Sequence, residues 1–78
     1  MGLAKIERER TARGEGCLGR AADDEPVFIL RGQDVLAPDL VDYWADDAEA
    51  NGCGPEKVAE ARELAAKMRA WPSRKYPD

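Results

Sequence analysis

The sequence contains no histidine. General acid–base chemistry at neutral pH runs most often through imidazole, and a thiol nucleophile needs a base beside it. Neither Cys17 nor Cys53 has an imidazole to activate it. The same absence excludes the common closed zinc sites. These take four Cys or His ligands, whereas this chain offers two cysteines 36 positions apart and no C-x-x-C pair. A calcium loop needs spaced Asp or Asn with a terminal Glu, and neither Asp23-Asp24-Glu25 nor Asp46-Asp47 has that spacing. No G-x-x-x-x-G-K phosphate loop occurs. Gly14, Gly16 and Gly19 match G-x-G-x-x-G, but they follow a charged segment where the dinucleotide motif requires a strand. A non-catalytic protein without cofactor or metal is therefore expected.

Long apolar runs are also missing. The longest is Val27-Phe28-Ile29-Leu30, far short of the roughly 18 residues a membrane span needs. The start, Met1 to Ile6, continues into Glu7-Arg8-Glu9-Arg10 rather than the apolar stretch of a secretory leader. Ile6 stands where an N-acylation signal carries Ser or Thr. A cytoplasmic location with reduced thiols is expected. A Cys17–Cys53 bridge stands as the alternative.

At 78 residues the chain is at most one domain. Chains this short bury only about 60% of their unfolded surface, and disulfides, metals or oligomerisation usually compensate. With the first two argued down, self-association is expected. Charge is segregated along the chain. Residues 1–22 carry five basic and three acidic side chains, residues 23–51 one and nine, and residues 52–78 six and four. This pattern argues against a nucleic-acid binder with a broad positive face. An acidic middle third suits a protein partner with a basic patch, or is simply a solvated helix face.

Residues 1–16 lack apolar periodicity and predict a flexible segment or a frayed helix, whose Arg8, Arg10 and Arg13 could touch an anionic partner. Residues 17–26 read as a loop, punctuated by Gly19 and Pro26. Residues 17–78 would form the domain proper. Val27-Phe28-Ile29-Leu30 suits a short strand covered on both faces, with one helical turn as the rival. A lone strand leaves its backbone groups unpaired, so a homodimer or an added partner strand through Val27, Phe28, Ile29 and Leu30 is expected.

Two helices follow, about 38–51 and 55–71, each with proline in its first turn. In the first, Leu40, Tyr43, Trp44 and Ala48 make an apolar stripe, widened by Val41 and Ala45, and Asn51-Gly52 ends it in a left-handed cap. In the second, Val58, Ala61, Ala65 and Met68 follow 3-4-3 spacing, Leu64, Met68 and Trp71 follow 4-3 spacing, and Pro72 terminates it. The small faces at Ala59, Ala61, Ala65 and Ala66 let another helix approach closely. The short join makes the two antiparallel neighbours. The fold class is mainly α: an antiparallel helix pair preceded by one short apolar strand or turn.

Candidate partner-binding residues are Arg31, Asp34, Tyr43, Trp44, Asp46, Asp47 and Trp71. Arg31 and Asp34 sit where an apolar run opens into a loop, a common place for a site. Arg31 could also pair internally with Asp34 or Asp39. Trp44 and Trp71 read as core between the helices, or as interface anchors. A second function class, a small-ligand sponge at a dimer seam, needs Arg20, Arg31 and the Arg69–Lys75 region to converge on a cavity. A structural or assembly component of a virion is a third.

Asp24-Glu25-Pro26-Val27-Phe28-Ile29-Leu30-Arg31, followed by Gln33-Asp34 and Leu36-Ala37-Pro38, resembles small proteins of bacteriophages and prophages that have no established activity. Ala70-Trp71 and Lys75-Tyr76-Pro77-Asp78 add to the resemblance, which covers roughly residues 17–78. It implies a bacterial cytoplasm and an accessory role in host take-over or counter-defence, by binding a host protein. No residue role comes with it.

Overall fold

Proline and small residues set the architecture. In the computed structural model, which describes residues 1–77, four helices form: α1 Ala4–Ala12, α2 Gly16–Arg20, α3 Ala37–Ala50 and α4 Pro55–Ala70. Pro38 and Pro55 lie in the first turns of α3 and α4, where a missing N–H costs nothing. Gly52, at φ +76°, takes the left-handed conformation after α3, one that side chains avoid. Both helices match their expected bounds within a residue. The described residues contain no strand, only one parallel bridge between Asp34 and Lys75.

Cross-links establish that α3 and α4 are antiparallel. Arg62 reaches Asp46 at 2.8 Å, and Arg69 reaches Asp39 at 2.9 Å and Asp42 at 2.6 Å. Partners advance along α4 as they retreat along α3. The seam between the helices is made of small side chains. Ala37, Ala45 and Ala48 from α3 and Val58, Ala61, Ala65 and Met68 from α4 are buried. The α4 stripe is the one its 3-4-3 spacing predicts.

The α3 stripe differs in part from expectation. Of that stripe Ala45 and Ala48 are buried and Val41 is half-buried, as expected, but Leu40, Tyr43 and Trp44 are exposed and Ala37 is buried beside the alanines. Methyl-sized contacts let helix axes approach to the short end of the usual 8–10 Å. An alanine face on α3 matches the alanine face of α4, whereas an indole there would hold the helices apart.

The N-terminal segment takes the helical alternative. Residues 4–12 form α1, and residues 16–20, expected as part of a loop, form α2. The reason is a close approach that composition alone does not reveal. A Cβ on Gly19 would lie 2.9 Å from the Gly14 carbonyl carbon and 3.3 Å from Thr11 Cα, so glycine lets α2 fold back on α1. The G-x-G-x-x-G spacing thus serves a helix corner. Met1 then packs against the cluster of Ala45, Ala48, Val58 and Ala61, and its ammonium pairs with Glu7 at 2.8 Å.

Residues 27–30 form neither a strand nor a helical turn. The one bridging segment nearby is already taken: Val35 N–H donates to Lys75 O at 2.9 Å and Lys75 N–H to Gln33 O at 2.7 Å. Without a ladder partner the run stays irregular. Its faces are not covered either, and Phe28 is 83% exposed.

The molecule is open for its size. Its radius of gyration is 13.2 Å, against about 11.5 Å for a compact chain of this length. Its accessible surface is 6065 Å², against about 4,700 Å² expected from its mass.

Candidate functional site

A groove opens between the N-terminal segment and the α3–α4 pair. The α1–α2 corner forms one wall, the irregular run 27–31 another, and the flanks of α3 and α4 the floor. The groove encloses about 1660 Å³, above the several hundred Å³ typical of small-molecule sites. Its lining is mainly aliphatic and aromatic, with Leu18, Phe28, Leu40, Trp44, Leu64 and Trp71 prominent.

Each wall has a local cause. On α3, Leu40 and Trp44 are one turn apart and share a face. The alanine seam lies beside that face, so both large side chains are left on the flank. On α4, Leu64 and Trp71 flank Met68, the last buried residue of the seam. The turn at Gly32 rests on the end of α4, where an added Cβ would meet Met68 Cα at 3.7 Å and Trp71 Cβ at 3.8 Å. That turn ends the 27–31 run, which lines the groove. It is followed by Asp34, whose carboxylate accepts from Leu36 N–H at 2.8 Å. Arg74 holds the arrangement from below, donating to the carbonyls of Asp34 and Val35 at 3.2 and 3.3 Å.

Of the residues singled out from sequence, Arg31, Trp44 and Trp71 come together in this groove. The two tryptophans are 48% and 56% exposed, so the reading that places both in the core is corrected. Asp34 is a turn-forming residue. Tyr43, Asp46 and Asp47 do not line the groove. Asp46 is held by Arg62, and the Asp47 carbonyl accepts from the Asn51 side chain. Arg31 makes no ion pair with Asp34 or Asp39, since Arg69 occupies Asp39. The sequence reading missed Leu18, Leu40 and Leu64 as groove residues. Leu40 with Trp44, and Leu64 with Trp71, carried a helical signal that was assigned to the core.

Two arginines on the outer faces are held by aspartates. Arg69 donates to Asp39 and Asp42, and Arg62 to Asp46, and these hydrogen bonds raise both arginine pKa values. Arg69 is held on its outer face and Arg74 is bonded to backbone, while Arg20 and Arg31 both line the groove. A smaller hollow beside Arg31, Gln33 and Tyr76 encloses about 150 Å³, too little for a nucleotide.

Among the described residues, no cluster of three His, Cys, Asp or Glu side chains could hold a metal. Cys17 and Cys53 are free and exposed. No helix among these residues is long and apolar enough to cross a membrane. Asp78, the last residue of the phage-protein resemblance, lies outside the described residues. No protein-family model, curated protein or solved structure matches this chain.

Proposed function

We propose that this protein is a non-catalytic binding module whose groove receives a segment of another protein. The observation that carries this reading is the size of the apolar opening in a chain with so small a core. The seven core hydrophobics are five alanines, one valine and one methionine, while Leu18, Phe28, Leu40, Trp44 and Trp71 are exposed around one concavity. A contiguous apolar concavity of this size marks an interaction site rather than ordinary surface. Half-exposed tryptophans are the residues that most often dominate binding energy. The resemblance to phage proteins adds that the partner belongs to the bacterial host, and that the binding serves take-over or counter-defence.

A photo-crosslinking amino acid at position 28, in protein expressed in bacterial cells, tests the reading. One discrete adduct with a different polypeptide is expected. The same probe at position 66, on the outer face of α4, should give none. Adducts containing only a second copy of this chain would replace the reading with self-association, and a lack of adducts would refute it.

A further inference from the structure

We infer that the groove is selective for an acidic amphipathic segment, one that carries carboxylates beside an apolar stripe. The inference rests on the groove's being a protein-binding site and adds the chemistry of its partner. Charge is distributed unevenly around the opening. Arg8, Arg10, Arg20, Arg31, Lys57 and Lys67 line it, and Glu7 is the single acidic residue that does. The whole chain has 12 basic and 16 acidic side chains. Half of the cations therefore border the groove of a protein whose net charge is −4.

The state of these cations separates them from the rest. On the outer faces, Arg62 and Arg69 are held by aspartates at 2.6–2.9 Å. In the groove, Arg10, Lys57 and Lys67 have carboxylates only at 3.8–4.0 Å. Arg8, Arg20 and Arg31 have no carboxylate partner among the described residues, and Arg20 donates only to the Gly16 carbonyl at 3.3 Å. Glu7 is occupied by the Met1 ammonium. The opening thus pairs an apolar floor with three cations that lack a carboxylate among the described residues, Arg8, Arg20 and Arg31, and three held only loosely, which is the complement of an acidic amphipathic helix.

The alternatives fit less well. A two-fold dimer closing the groove on itself would set this cationic rim against its own copy, because such an interface is self-complementary. A nucleic acid could stack bases on Phe28, Trp44 and Trp71, but the chain's net charge of −4 disfavours it. The acidic outer surface would repel its phosphates.

A designed peptide of about 14 residues, roughly 21 Å long as a helix, tests the inference. It carries leucine along one face and glutamate elsewhere, and a twin carries lysine in place of glutamate. Binding is read from the fluorescence of Trp44 and Trp71. The glutamate peptide is expected to bind, and to weaken as salt rises through about 0.5 M. The Arg8→Gln/Arg31→Gln variant should bind it about three- to tenfold more weakly, whereas Arg13→Gln, on an outward ion pair, should not. Equal or tighter binding of the lysine twin would overturn the acidic chemistry and leave the groove reading standing. Failure of both peptides would overturn both readings, and a dimer in light scattering or binding of a single-stranded oligonucleotide in that case would name the replacement.

Discussion

Replacing Ala65 with leucine tests the alanine seam most directly. Ala45, Ala61 and Ala65 are all 0% exposed, so the added carbons have no free volume between α3 and α4. Forcing extra methylenes into a filled interior costs about 1–3 kcal/mol. Against the roughly 4–12 kcal/mol expected for a chain of this length, that is a large loss. At about 4–8 °C per kcal/mol, the melting temperature should fall by roughly 5–20 °C. Two controls make the result specific. Ala66→Leu, on the exposed side of the same helix, should stay within about 0.5 kcal/mol. Tyr43→Ala removes a member of the large apolar stripe that is 70% exposed, and should cost less than about 1 kcal/mol. If that stripe were the core, the aromatic truncation would cost about 3–5 kcal/mol instead. Urea and thermal unfolding followed by circular dichroism reads all three. An unchanged Ala65→Leu beside a severely destabilised Tyr43→Ala would refute the packing described above.

Three further outcomes follow from the geometry. The Met1 ammonium, through its hydrogen bond, holds the Glu7 carboxyl below its ordinary range, with a smaller opposing effect of burial. A depressed folded pKa adds stability that is fully present above the ordinary value near 4.3 and disappears as pH falls through the folded one. The difference in melting temperature between wild type and Glu7→Gln should therefore be largest near pH 6 and shrink toward pH 2, and a difference independent of pH would contradict the pairing. Arg74→Ala removes donors to the Asp34, Val35 and Arg69 carbonyls. It should cost about 1–2 kcal/mol and speed amide exchange at Val35 and Lys75, with partial rescue by lysine, which lacks the fork. Cys17 and Cys53, both free and exposed, should react with an aromatic disulfide reagent in the native protein as fast as in the unfolded chain. Protection of either would place it in an interface.

The sequence alone determined the helical pair and where it stops. Pro38, Pro55, Gly52 and Pro72 act through local backbone geometry, which needs no tertiary partner, and the 3-4-3 spacing of Val58, Ala61, Ala65 and Met68 marked the buried face of α4. The lack of histidine and of spaced ligands likewise limited the chemistry without reference to a fold.

The groove was decided only by tertiary structure. Two apolar stripes compete for the interior of α3, and periodicity cannot rank them. Leu40, Tyr43 and Trp44 are the more hydrophobic, yet the alanine side of α3, which shares Ala45 and Ala48 with that stripe and adds Ala37, wins because it matches the small face of α4. Once the alanines are inside, the large side chains must line an outer flank, and Phe28, without a strand to pair with, stays in solvent opposite them. The same holds for charge. Arg8, Arg31 and Lys67 lie in three separate segments of the chain, and only folding brings them to the rim of one opening.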